Sequence, residues 1–324
     1  MKIGLFGCGA YGMALSSVLN ENNCDITMWT KFEEEKKQLE GTRKNEKLIP
    51  DFSISDKIKI TTNVEECIKN KDLLIIAIPV AFIDDLAKEM EPYITNENII
   101  IASKGIEQKT GLFVNQIIRK HLNTKNIGVI SGPSFAIDLI SKMPIGLTLA
   151  TKSKETKHVT KKALQNKYLK LRSTKDVVGT EICGTIKNII AISSGILDGL
   201  GANESTQAML LTEAVHDIKE ILDAFGANKK TVLSFAGFGD LILTCTSTKS
   251  RNYTFGKLLA ESKNDQDINE YLKTTTVEGY YTLESIYSLL KHKKVSIPTI
   301  NIIYDIAIKR ENPKKILTFL VEKD

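Results

Sequence analysis

Through the first half of the chain, short apolar runs alternate with segments of helical period. Residues 2–6, 26–29, 73–78, 99–102, 127–130 and 146–150 predict strands, and 168–172 predicts one more. Several of these runs are apolar on both faces, the pattern of strands covered by helices above and below a parallel sheet. After about Lys175 the period becomes helical, over 180–197, 206–225, 282–290 and 299–309. The pattern therefore predicts a doubly wound α/β domain over 1–176, followed by an all-helical domain over 177–324.

Composition narrows the class. At 324 residues and 42% hydrophobic content, the chain can bury a core in each of two domains without staples. The five cysteines form no CxxC pair and are odd in number, which points to a reducing compartment and away from both a disulfide framework and a metal site. Its 44 basic and 39 acidic residues interleave, as in the stretch from Lys31 to Lys37, so no segregated basic stripe marks a nucleic-acid face. The apolar run 73–83 is broken by Pro79 and too short to span a bilayer, and the first strand leaves no room for a signal peptide. A cytoplasmic protein without an integral membrane segment is expected.

Gly7-Cys8-Gly9-Ala10-Tyr11-Gly12 follows the first strand and opens a helix near Ala10. In that context the glycines allow a tight turn, close approach of backbone to a pyrophosphate, and close helix–strand packing, while the helix N-terminus offers N–H groups to phosphates. The first domain is thus an α/β Rossmann-type dinucleotide-binding domain. Its second strand ends Met28-Trp29-Thr30-Lys31, where a cation and a hydroxyl suit a ribose 2′-phosphate better than a free diol. NADP is therefore favoured over NAD, with Glu33, Glu34 and Glu35 acting against that preference.

The second half holds the polar chemistry. Gly237-Phe238-Gly239-Asp240 and Ser250-Arg251-Asn252 place a carboxylate, hydroxyls, a guanidinium and an amide within sixteen residues. Arg251 offers a donor fork matched to phosphate or carboxylate oxygens. Asp240 has the wrong sign for that and needs a hydroxyl or a cation. Ser250 equally suits the N-cap of a helix running to about Glu261. Lys187, in Gly184-Thr185-Ile186-Lys187-Asn188, is a catalytic candidate expected to leave the core at its edge, although a lysine is usually solvated. Lys104 and Gly132-Pro133-Ser134 follow successive strands, where ligands of parallel sheets bind.

These motifs, in order and over nearly the whole chain, resemble those of the bacterial type of NAD(P)-dependent glycerol-3-phosphate dehydrogenase. The matching pieces are Gly7-x-Gly9-x-x-Gly12, Ser103-Lys104-Gly105, Ser131-Gly132-Pro133-Ser134-Phe135-Ala136, Ile186-Lys187-Asn188, Gly237-Phe238-Gly239-Asp240-Leu241, Leu243-Thr244-Cys245, Ser250-Arg251-Asn252 and Val277-Glu278-Gly279. The resemblance implies an all-α substrate domain after the dinucleotide domain. It further implies reversible reduction of dihydroxyacetone phosphate to sn-glycerol 3-phosphate, supplying phospholipid synthesis. Lys187 becomes the proton donor and acceptor, with Lys104, Gly132, Ser134, Asp240, Ser250, Arg251 and Asn252 at the substrate. Gly7, Gly9, Ala10, Tyr11, Gly12, Lys31, Lys104, Ala136, Arg251, Thr276 and Glu278 become nucleotide contacts. The implied partner is a small molecule, and a homodimer is the candidate assembly.

Three positions depart from the family pattern: Ala10 and Val80 stand where serine is common, and Glu213 where arginine is expected. A β-hydroxyacid dehydrogenase would share the fold and the lysine, but the Ser250-Arg251-Asn252 anchor argues against it. A thiol-dependent sugar-nucleotide dehydrogenase would need a reactive cysteine, and Cys245 reads as a packing residue. A dinucleotide sensor without turnover would leave Lys187, Asp240 and Arg251 without a joint purpose.

Overall fold

The structure is a computed structural model and describes residues 1–262 and 264–323. It divides into two compact units, Met1–Lys104 with Val114–Val177, and Gly105–Phe113 with Val178–Asp324. The excursion Gly105–Phe113 is a difference from an uninterrupted first domain. Ile106 and Phe113 form an antiparallel bridge, both are buried in the helical core, and Phe113 meets Phe225 edge-on at 5.8 Å between ring centroids. These two apolar side chains carry the segment into the second unit.

The first unit is one eight-stranded sheet: β1 (Lys2–Phe6), β2 (Asp25–Trp29), β3 (Lys59–Thr61), β4 (Leu73–Ile76), β5 (Ile99–Ile101), β6 (Ile127–Ser131), β7 (Ile145–Thr151) and β8 (Leu169–Thr174), in the order β3-β2-β1-β4-β5-β6-β7-β8. β4, β5 and β6 are buried throughout, which is why their sequences are apolar on both faces. β8 alternates buried and exposed residues at first, as a strand at the sheet's edge should. The strand order reverses direction between β1 and β4, the switch point where open α/β sheets bind ligands.

The sheet is not parallel throughout: β7 runs antiparallel to β6, and β8 is parallel to β7. The connection after β6 contains only the short helix Ala136–Ile140. Five helical residues rise about 7.5 Å, against about 16 Å for a five-residue strand, so that helix cannot return the chain to the far end of the sheet. The three-residue strand β3 was not expected either; it is short and begins with an exposed lysine.

The second unit is helical. Its long members are Val177–Gly199, Glu204–Ala224, Arg251–Glu261, Asp265–Thr274, Glu278–His292, Pro298–Ala307 and Lys315–Glu322. From Thr180 to Leu197 every residue is buried, so Val177–Gly199 is the central helix of this unit. Glu213 finds its cation at the end of the chain: Lys323, with only 5% of its side chain exposed, pairs with Glu213 and Asp217, each at 2.9 Å. That pairing accommodates the unexpected carboxylate and ties the last helix to Glu204–Ala224.

Glycines set how closely these helices approach. A Cβ on Gly195 would lie 1.9 Å from the Tyr253 carbonyl oxygen, and one on Gly256 would lie 1.9 Å from that of Ile192. Backbone therefore touches backbone where Arg251–Glu261 crosses the central helix. Gly256→Ala should destabilise the helical unit by roughly 1–3 kcal/mol through overpacking. Gly41→Ala, in a helix where the new methyl meets nothing within 4 Å, should be neutral or stabilising by up to about 1 kcal/mol. Urea unfolding followed by circular dichroism checks this, and equal midpoints for the two variants would refute the packing argument.

Candidate active site

On the first unit, β1 runs into the glycine loop. Gly7 has φ +120°, and a Cβ there would lie 2.5 Å from the Ala77 carbonyl oxygen, while one on Gly12 would lie 2.0 Å from that of Gly7. Both positions are closed to any side chain. Gly9 differs: a Cβ there would meet nothing within 4 Å, and the residue lines a cavity of about 220 Å³. Helix Ala10–Glu21 starts at Gly9 with no side-chain cap and no acidic residue in its first turn, leaving a positive helix end beside that space. Thr30, Lys31, Phe32 and Glu35 line the same cavity at the end of β2.

Beyond β5 and β6, Lys104, Gly132, Ser134 and Tyr11 come together. Lys104 Nζ donates to the Gly132 carbonyl oxygen at 3.5 Å, Ser134 Oγ donates to the same oxygen at 3.1 Å, and Tyr11 Oη lies 3.0 Å from Ser134 Oγ. Ala136 opens the next short helix, and Ala10 and Ala136 both pack on the sheet's core.

On the second unit, Lys187 does not snorkel to the surface as a lysine at a helix edge would. It is 7% exposed, and its Nζ donates to Asp240 Oδ1 at 2.7 Å and to Thr244 Oγ1 at 2.8 Å. The Phe-Ala-Gly-Phe-Gly stretch 235–239 forms a π-helical turn whose start is capped by Ser234 Oγ accepting from Gly237 N at 3.2 Å. A Cβ on Gly237 would lie 2.1 Å from the Val232 carbonyl oxygen, so this wide turn needs glycine. It delivers Asp240 to the first turn of helix Asp240–Cys245, with Thr244 four residues on and hence on the same face. Thr244 Oγ1 also donates to the Asp240 carbonyl oxygen at 2.7 Å, which fixes the hydroxyl toward the lysine.

Ser250 is the N-cap of Arg251–Glu261, its Oγ accepting from Tyr253 N at 3.3 Å. Arg251 is exposed at the positive end of that helix, and Thr276 is exposed too. Asn252 Oδ1 accepts from Gly279 N at 2.8 Å, and Asn188 Nδ2 donates to Glu278 Oε2 at 3.1 Å. Asn252 and Glu278 thus each hold a neighbouring helix in place. Thr244 and Asn188 were not among the expected site residues. The signal for Thr244 is its i+4 spacing from Asp240; for Asn188 it is adjacency to the lysine.

The sequence matches the family model for the N-terminal part of NAD-dependent glycerol-3-phosphate dehydrogenase over residues 2–157, and the model for its C-terminal part over 176–318. Glycerol-3-phosphate dehydrogenase [NAD(P)+] of Staphylococcus epidermidis is 33% identical over 327 residues, covering 100% of this chain and 98% of the relative. The chain belongs to the NAD-dependent glycerol-3-phosphate dehydrogenase family. The Staphylococcus aureus glycerol-3-phosphate dehydrogenase [NAD(P)+] is 34% identical over 328 residues, again with 100% and 98% coverage. The fold is that of the glycerol-3-phosphate dehydrogenase of Coxiella burnetii, with TM-score 0.92, 24% identity and 99% of each chain covered. No helix among the described residues is long and apolar enough to cross a membrane.

Within this glycerol-3-phosphate dehydrogenase framework, Cys245 follows Thr244 but is 1% exposed. Burial pushes its thiol far above the ordinary range; Lys187 nearby pulls it down, and Asp240 adds to the rise. A thiol held protonated and out of solvent is a poor nucleophile, which removes the thiol-dependent alternative. Cys8, Cys67 and Cys183 are buried as well, and Cys24 alone is partly exposed. Native protein treated with iodoacetamide at neutral pH should therefore be modified at Cys24 only, and slowly. Rapid carboxamidomethylation of Cys245, read by peptide mass spectrometry, would contradict this.

Proposed function

We propose that the protein interconverts dihydroxyacetone phosphate and sn-glycerol 3-phosphate with NAD(H) or NADP(H). The observation that carries the reading is the buried Lys187, held by Asp240 and Thr244 in the unit that also presents Ser250, Arg251 and Asn252. A lone buried ammonium would be expensive to keep, and a structural role is met more cheaply by an apolar side chain.

The open side of Gly9, the uncapped helix end beside it and the cavity at the end of β2 fit a dinucleotide. When bound, the nicotinamide exchanges a hydride with the carbon that is ketone in one direction and alcohol in the other. Lys187 Nζ donates a proton to the oxygen that becomes negative as the ketone is reduced, stabilising charge that appears only in the transition state. In the reverse direction the neutral amine takes that proton back. Asp240 and Thr244 aim the nitrogen; they fix its position before the substrate arrives. Arg251, at a helix N-terminus, meets the phosphate with its donor fork, and the Ser250 hydroxyl, accepting from Tyr253 N, keeps its own proton for a phosphate oxygen. The cap and the phosphate anchor are one arrangement.

Lys187→Ala should lower kcat by about 10²–10⁴-fold, the usual contribution of a general acid, while NADH or NADPH still binds. Because Asp240 would be left buried without its cation, Lys187→Met combined with Asp240→Asn serves as the folding control. Near-normal kcat in either variant would remove the proton-transfer role. Arg251→Ala should raise the KM for dihydroxyacetone phosphate by about 10–100-fold, as for loss of a charge-assisted hydrogen bond, with the nucleotide KM changing less. An unchanged substrate KM would place the phosphate elsewhere, and turnover of carboxylate ketones in its stead would sink the substrate assignment.

A further inference from the structure

The first unit carries a carboxylate where β2 alone displays a cation. Thr30 is buried at the end of β2, and its Oγ1 donates to the carboxylate of Glu35 while accepting from Phe32 N at 3.3 Å. Glu35 is thereby drawn back from the first turn of helix Glu33–Thr42 onto the wall of the cavity that Gly9 lines. Its charge is felt across that cavity: Cys8, in the glycine loop, has its thiol pushed up chiefly by burial and next by Glu35. Glu33, by contrast, accepts from Thr62 and is engaged toward the chain following β3.

The end of the second strand is where a Rossmann-type sheet reads the adenosine ribose. A carboxylate there accepts hydrogen bonds from a free 2′,3′-diol and repels a 2′-phosphate, which carries close to two negative charges at neutral pH. Carboxylates predominate in the rest of the lining. Asp85 and Glu89 line the cavity with Glu35, against the exposed cation Lys31, although Asp85 also lies 3.7 Å from Lys88. Phe32 and Phe82, 63% and 51% exposed, line the cavity as well and offer apolar faces for a base.

We propose that Glu35, positioned by Thr30, reads the ribose diol and makes this protein prefer NADH over NADPH. The inference rests on the nucleotide-dependent reading above and reverses the preference that Lys31 implies when β2 is read alone.

Titration of the full chain with NADH and with NADPH, followed by nucleotide fluorescence, tests it independently of turnover. The unaltered protein should bind NADH at least about tenfold more tightly, and Glu35→Gln should shrink that ratio by about tenfold or more, mainly by tightening NADPH; one lost hydrogen bond and one removed repulsion are each of that order. Thr30→Val should shift the ratio in the same direction. A preference for NADPH that Lys31→Ala abolishes would overturn the proposal, as would an unchanged ratio in Glu35→Gln. Selective NADH binding without turnover of dihydroxyacetone phosphate would sink the substrate reading while upholding this one, and binding of neither nucleotide would sink both.

Discussion

Backbone contact between helices is the constraint on which the second unit's chemistry depends. Gly195 and Gly256 let Arg251–Glu261 lie directly on the central helix, and a Cβ on Gly279 would lie 2.4 Å from the Asn188 carbonyl oxygen. Three helices are thus held closer than side chains would allow. Lys187 and Asn188 ride on one, Arg251 and Asn252 on the second, Glu278 and Gly279 on the third. The hydrogen bonds from Asn188 to Glu278 at 3.1 Å and from Gly279 to Asn252 at 2.8 Å depend on that close approach. They cross-brace Arg251 and Lys187, the proposed phosphate anchor and proton donor, so that each keeps its position.

The proposed proton transfer gives a reason for the buried pair Lys187–Asp240. Removing two charges from water is costly, and their attraction repays this only with good geometry and further hydrogen bonds. The 2.7 Å separation and the Thr244 hydroxyl supply those, yet an apolar pair of the same volume would serve packing at least as well. An ammonium held in one orientation, with water largely excluded, is worth more to an oxygen that becomes charged during reaction than to the resting fold. The same reasoning gives Asp240 a positioning part in the proposed reaction, since its carboxylate is taken up by the lysine at 2.7 Å and approached by the Thr244 hydroxyl at 3.4 Å.

The sequence discloses most where local and global demands agree. β4, β5 and β6 were legible because both their faces are buried, and the glycine loop because strand, turn and helix follow one another in order. The stretch from Gly237 to Asn252 was legible as a cluster of polar chemistry, whereas the π-helical turn at 235–239, with Gly237 against the Val232 carbonyl oxygen, emerges only in the structure. What stayed hidden depends on tertiary placement. The reversal of β7 follows from the length of one short helix, the burial of Lys187 from packing around the whole circumference of its helix, and the partner of Glu213 from a lysine 110 positions away. Glu35 is an intermediate case. It lies in plain view in an acidic run, but only the Thr30 hydrogen bond distinguishes it from Glu33 and Glu34.

Glycine serves both packing and the proposed ligand site here, and in the loop after β1 the space around each one separates the two uses. Gly12 and Gly256 are filled on the side where a Cβ would project, so they exist for packing, and any substitution there is answered by the chain itself. Gly9 projects into open space beside a helix end that no side chain caps. An ordinary residue could stand at Gly9 without disturbing the first unit. The fold therefore gives no reason for glycine at that position, whereas a pyrophosphate approaching the backbone does. The dinucleotide is implied more directly by this one unneeded absence of a side chain than by the three-glycine pattern in which it sits.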